Sequence, residues 1–176
     1  MSELTLRRAR REDADFLLAL ITDESVRPYL SGRAPATLDE VLADIELSER
    51  EPELHGRFVI EVDGEPAGSV GFRVTNERHR IAELGRFAVH PRFRGRRLGD
   101  EAARLVQRHL LYELGFHRIE LQIYGFNERA IAHAERAGFV REGTKRKAYL
   151  RGEEWQDAAL LSLLREDLDE ALTSGA

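Results

Sequence analysis

The stretch 82–106, "AELGRFAVHPRFRGRRLGDEAARLV", decides how the chain is organised. From Ile81 to Val89 it alternates as a strand does, but the apolar parity changes between Leu84 and Phe87, with Gly85 in the gap. A glycine at such a break predicts a β-bulge. A basic loop follows, with Arg92, Arg94, Arg96 and Arg97 around Gly95. From Gly99 to Glu113 an apolar stripe (Ala102, Leu105, Val106, Leu110) predicts a helix. The first amides of a helix lack internal partners, and its dipole places about half a positive charge there. With glycine for close approach and arginine forks for oxygens, such an end can cradle a phosphate. A solvated basic turn reads equally well from this stretch alone. The pattern is not a P-loop, because no Gly-Lys-Ser/Thr follows, and it lacks the third glycine of the dinucleotide fingerprint.

Outward from this unit, the chain reads as an alternation of strands and helices. Leu4–Ala9 alternates as a first strand, and a helix starts at Asp13 with Phe16, Leu17, Leu20 and Ile21 on one face. Pro28, Gly32 and Pro35 mark a loop. Thr37 and Glu40 stand in capping-box spacing and open a second helix. Two β-rich runs flank Asp63-Gly64, which predicts a hairpin. After the central unit come a strand over Arg118–Tyr124, a helix with Asn127 as N-cap and Gly138 beyond its end, and a closing hairpin turning at Arg151-Gly152. The tail beyond Leu172 reads as frayed. Strand–helix–strand order from Ile81 to Tyr124 implies a parallel or mixed central sheet, so the fold class is α/β or α+β, in one domain spanning 1–176.

Composition narrows the function classes. The 176 residues carry a net charge of −5, and 34% are charged. Such a chain repels a phosphate backbone as a whole, and the aromatics needed to interleave a basic face are missing, which argues against nucleic acid. Without cysteine there is no disulfide, thiolate metal site or cysteine nucleophile. The six histidines show no metal-ligand spacing. No apolar run approaches a membrane span and no signal core opens the chain, so a cytoplasmic protein with no membrane partner is expected.

Taken together, "AELGRFAVHPRFRGRRLGDEAARLV" and "NERAIAHAERAGFVREG" resemble the acetyl-CoA-binding core of the GNAT superfamily of N-acetyltransferases. The family's Arg/Gln-x-x-Gly-x-Gly/Ala loop is matched from Arg94 to Gly99, and its Asn-x-x-Ala…Gly-Phe-x-x-Glu-Gly segment by Asn127, Ala130, Gly138, Phe139, Glu142 and Gly143. In layout the chain is most similar to ribosomal-protein N-terminal acetyltransferases and spermidine N-acetyltransferases. The resemblance implies a mixed central sheet, splayed at a bulged strand and flanked by helices, with acetyl-CoA in the gap as cosubstrate. It also implies that amides of Phe87, Ala88 and Val89 meet the pantetheine arm and thioester. Arg94, Gly95, Arg96, Arg97, Leu98 and Gly99 would hold the pyrophosphate, and Asn127 would touch the cofactor. Arg97 stands where relatives carry glycine, and either holds a CoA phosphate or crowds the loop.

The resemblance implies acetyl transfer to a primary amine: a protein N-terminus, a polyamine or a small amine. An alkylamine with a pKa near ~10.4 must lose a proton first, so a base is needed. Glu83, ahead of the cofactor amides, is the candidate base, and a strand glutamate paired with an arginine is the plainer reading. The tyrosine that many relatives use as general acid is replaced by Ala134, leaving Tyr124 and His133 as candidates. Trp155 either lines the acceptor pocket or fills the hairpin core. The acidic helix 39–53 is read as a solvated face rather than a cation lure. No metal is expected, and family members often dimerise, so a homodimer is open. The rival reading, kept alive by Arg97 and Ala134, is a non-catalytic acyl-CoA-binding sensor or scaffold.

Overall fold

Asp63 and Gly64 both adopt the left-handed region, with φ of 52° and 79°. That is the geometry of a two-residue turn whose twist matches its flanking strands. It joins β2 (His55–Val62) to β3 (Glu65–Asn76), and β1 (Leu4–Arg8) pairs antiparallel with β2. The computed structural model describes residues 3–31, 34–95 and 98–174. Within these, β4 (Ile81–Val89), β5 (Arg118–Tyr124), β6 (Val140–Arg151) and β7 (Glu154–Leu164) complete one sheet. Its order is β1-β2-β3-β4-β5-β7-β6, antiparallel except where β4 and β5 run parallel.

The helices cover both faces. α1 (Ala14–Thr22) and α2 (Leu38–Arg50) lie on one face, where Leu17, Ile21, Val41 and Ile45 pack on Val59. Thr37 caps α2 by accepting from the Glu40 amide at 3.3 Å, and the Glu40 carboxylate reaches back to the Ala36 amide. α3 (Leu98–Arg108) and α4 (Glu128–Arg136) occupy the other face, where Val106, Leu110, Ile131 and Ala134 meet Val70, Phe72, Ala82 and Leu84. The stripe expected to continue α3 to Glu113 is present, but His109–Glu113 widen into a π-helical turn, with the Leu114 amide donating to the His109 carbonyl. Beyond β7 the chain forms a further helix, α5 (Arg165–Ser174), where sequence reading had only a tail. Asp167 begins it by accepting from the Leu164 amide, and Leu168 packs onto the α3–α4 core.

The bulge on β4 is real, but it is one residue further along than expected. Gly85 stands in regular register opposite Gly71, and the irregularity places Arg86 and Phe87 together opposite Val70. Arg86, not a glycine, takes the left-handed conformation, with φ of 52°. A non-glycine residue there carries a conformational cost, which its side chain offsets. The Arg86 guanidinium grips both carboxylate oxygens of Asp44 on α2, at 3.1 and 3.2 Å. The same carboxylate bonds Arg57 Nε at 2.7 Å and His55 Nε2 at 2.9 Å, both from β2. Arg57 is only 3% exposed. Gly71 makes its space, since a Cβ there would stand 2.9 Å from the guanidinium.

Burial alone pushes the Asp44 carboxyl up, but the His55 hydrogen bond and the charges of Arg57 and Arg86 outweigh it and hold it well below the usual carboxylate range. Burial, then the nearby Arg86 charge, pushes Arg57 down to about 10. Because the folded Asp44 carboxyl sits below its unfolded value, its stabilisation is complete above the ordinary carboxylate pKa of ~3.9 and is lost as pH falls through the lower folded value. We expect Asp44→Ala to lower unfolding free energy by about 3–5 kcal/mol, because it strands the buried Arg57 charge. Urea midpoints at pH 7 check this. An unchanged midpoint would remove Asp44 from this role.

Candidate active site

β4 and β5 pair only from Ile81↔Arg118 to Leu84↔Leu121. Beyond that point β4 keeps β3 as its neighbour, and β5 keeps β7, through Tyr124↔Ala158. The sheet therefore splits in its interior, starting where the Arg86 bulge turns β4 away. The His90 amide donates to the Ala67 carbonyl on the β3 side at 2.8 Å. Strand alternation then turns the peptide groups of Phe87 and Val89 toward the split. Ala88, grouped with them from sequence, is different: it lies opposite Ser69, its peptide facing β3 and its side chain packed with Leu20 and Val26.

Past Val89 the chain makes a short turn over Pro91–Phe93, anchored by Phe93 against Leu98 and Ala102. Gly95, with φ of 80°, supplies the left-handed step before α3. Arg94 reaches back to the Val89 carbonyl at 3.2 Å and the Ser25 carbonyl at 3.5 Å. Arg96 and Arg97 lie outside the described residues, so the question of the arginine in a glycine's place is not met by the structure. Gly99 in the first turn of α3 faces His133, whose Nε2 would be 3.2 Å from a Cβ there. Asn127 caps α4, its Oδ1 accepting from the Ala130 amide at 3.2 Å, which leaves its NH2 group as donor. An uncovered strand edge leading to the amino end of a helix fits a ligand with amide groups and a pyrophosphate.

Across the sheet, on the α1–α2 face, a polar chain borders the split. Glu83 is held by Arg73 at 3.0 Å and by the Gln122 side-chain amide at 2.7 Å. Gln122 Oε1 in turn accepts from Tyr149 Oη at 2.7 Å and Lys145 Nζ at 3.0 Å. Burial, together with the Glu83 charge, raises the Tyr149 phenol above its ordinary value, so it stays protonated. The strand-glutamate pairing with arginine is thus realised, and any base role acts from within this chain of bonds. Tyr124 stacks on Phe126, with centroids 5.1 Å apart, and meets Tyr149 edge-on. Beside it opens a cavity of about 420 Å³ lined by Arg27, Pro28, Tyr124, Arg151 and Gly152.

The segment between α1 and α2 spans the split on this side. At one end the Ser25 carbonyl accepts from Arg94 beside β4, and at the other Ser31 Oγ donates to the Gln122 carbonyl on β5. That carbonyl lies just past the last residue of β5 that pairs with β4.

The remaining sequence candidates separate by face. His133 stands on the α3–α4 side, its ring stacked 5.9 Å from Phe87. Its Nε2 is 2.9 Å from Asp100 Oδ1 but outside hydrogen-bonding angles. Sheet thickness therefore separates it from Glu83. Ala134 is buried in the core, offering nothing to the split. Trp155 does not fill the hairpin core; it is exposed on β7, cross-strand from Leu150. His90 is a loop residue whose Nδ1 accepts from the Arg92 amide. Gln122, Lys145, Tyr149, Arg27 and Arg151 escaped sequence reading, and only the alternation of β5 carried a signal for any of them. Among the described residues no group of three or more His, Cys, Asp or Glu side chains could hold a metal, and no helix is long and apolar enough to cross a membrane.

Known proteins share both the sequence frame and this split sheet. Residues 3–140 match the family model described as an acetyltransferase (GNAT) domain. Spermidine N(1)-acetyltransferase of Escherichia coli K12 is 31% identical over 138 residues, covering 78% of this chain and 73% of that protein. Spermidine N-acetyltransferase from Vibrio cholerae, solved in complex with CoA and spermine, superposes with a TM-score of 0.83 over 93% of this chain and 96% of that one, at 24% identity. A dodecameric structure of the Vibrio cholerae enzyme gives 0.78 over 94% and 95%, also at 24% identity. The interior split, the helix start beside it and the matched family frame have one common meaning: the chain belongs to the GNAT acetyltransferase family and is an acetyl-CoA-dependent N-acetyltransferase.

Proposed function

We propose that acetyl-CoA lies in the split between β4 and β5 and that the acceptor amine arrives from the α1–α2 face. The observation that carries this reading is the uncovered edge of β4 from Arg86 to Val89, inside the sheet and leading to the start of α3. Phe87 and Val89 peptide groups would hold the pantetheine arm. The loop Arg94–Gly99 and the first amides of α3 would hold the pyrophosphate, with Asn127 contributing its NH2 group from the far side. The bound thioester supplies an activated acetyl group and a thiolate leaving group.

The chain's own residues then handle protons and position. Glu83 accepts the amine proton through water, and its bonds to Arg73 and Gln122 fix where that carboxylate points. Tyr124 lines the cavity and is the phenol placed to donate a proton to the departing sulfur, as Ala134 cannot. His133 packs against Phe87 and the first turn of α3, which fits a positioning role at the cofactor end. Positioning supplies much of the rate in such direct transfers. The acceptor class is a primary amine, as for the Escherichia coli relative named for spermidine. The chain also self-associates in this reading: β6 is an outer strand with Val140 and Leu150 exposed, an edge that a soluble monomer leaves open to pairing.

Thiol release from acetyl-CoA in the presence of a panel of primary amines tests the activity; tight acetyl-CoA binding without transfer to any amine would favour a sensor instead. Glu83→Gln should lower kcat/KM about 10–100-fold at pH 7, with the loss shrinking as pH rises and free amine accumulates. A loss independent of pH would exclude the base role. Gly99→Trp should weaken acetyl-CoA binding at least about tenfold with an unchanged circular dichroism spectrum, because its ring must displace His133 at the start of α3. Normal affinity would move the pyrophosphate elsewhere. Sedimentation at the monomer mass would overturn self-association.

A further inference from the structure

The cavity beside Tyr124 has a charge that its place in the fold does not require. Its lining brings Arg27, from the segment between α1 and α2, to Arg151, from the β6–β7 turn, residues 124 positions apart in sequence. No carboxylate lines it. Among the described residues neither guanidinium has an acidic partner; Arg151 lies 5.0 Å from the Phe126 centroid, and Arg27 is exposed. The nearest acid of the site, Glu83, is already taken by Arg73 and Gln122. The walls are aromatic: Tyr124 stacks on Phe126, which meets Tyr29 at 6.3 Å.

We propose that this cavity selects acceptor amines that also carry a carboxylate, on an apolar or aromatic body, and disfavours polyamines. The inference rests on the α1–α2 face being the acceptor side. Two guanidinium forks without counter-charges match carboxylate oxygens, and Tyr124, Phe126 and Tyr29 offer flat apolar surface to the rest of the molecule. A polyamine is cationic at every nitrogen at neutral pH, and entering between two arginines it gains no carboxylate and meets like charge. This chain therefore differs in acceptor from relatives that are named for spermidine.

Three acceptors distinguish the possibilities: the dipeptide alanyl-phenylalanine, its C-terminal amide, and spermidine. The acid should be acetylated with a kcat/KM about tenfold or more above the amide, and spermidine should be the poorest. In Arg27→Gln, in Arg151→Gln and in the double variant the acid-to-amide ratio should fall toward one, with the double variant lowest. Equal transfer to acid and amide in the parent chain, or spermidine as the preferred acceptor, would overturn the proposal. Calorimetry of both dipeptides binding to the CoA-loaded protein reads the same preference without turnover. Equal affinities overturn the cavity's role whatever the transfer rates. Tighter binding of the acid with no acetyl transfer would instead sink the Glu83 and Tyr124 mechanism while leaving the selectivity standing.

Discussion

A carboxylate buried between α2 and the sheet holds together parts of the chain that have no other reason to meet. Asp44 bonds His55 and Arg57 on β2 and Arg86 on β4, so one side chain fixes a helix to two strands with a third lying between them. The interaction is costly in isolation, since an unpaired charge at that depth would be expelled or neutralised. It persists because each partner answers another: Arg57 needs an anion for its burial, and Arg86 needs a reason to hold a left-handed backbone. The bulge that splits the sheet is therefore tied to a charge cluster on the opposite side of β4 from the helix whose amino end completes the site. Gly71 belongs to the same arrangement, as the space its missing side chain leaves is filled by Arg57.

Local signals were legible from sequence and long-range ones were not. The Thr37 cap, the Asn127 cap, the Asp63-Gly64 turn and the left-handed Gly138 each depend on a few neighbouring residues, and each stands where the sequence places it. The parity break in β4 announced a bulge, but propensity favoured glycine as its left-handed residue. What selected Arg86 was an acid 42 residues earlier, invisible to any local window. Ser31 reaching Gln122, Arg27 facing Arg151, and Tyr149 joining the Glu83 chain are likewise products of topology. Helix α5 went unread because its apolar content is low and its packing against the core rests on Leu168.

The candidate site divides the same way. The phosphate-end features lie within one continuous stretch, so the motif carried them, although Ala88 shows that a motif does not reveal which peptide groups face outward. The acceptor side is assembled from four separate segments, and its residues are ordinary in sequence. Glu83 could be named only because a family resemblance pointed to it, and the bonds that orient it belong to Arg73 and Gln122.

A sheet that parts in its interior differs from one with a groove on its surface: the opening runs from face to face. A molecule laid along β4 from the α3–α4 side and another arriving under the α1–α2 segment would use separate doors and meet inside the layer. Neither has to leave before the other enters, so the two substrates can be present at once. That arrangement removes any need for the protein to carry the acyl group itself between visits, in keeping with a chain that has no cysteine to carry it. The order of binding is then a matter of which door is shaped first, and the segment that ties Arg94 to Gln122 is the part of the chain in contact with both.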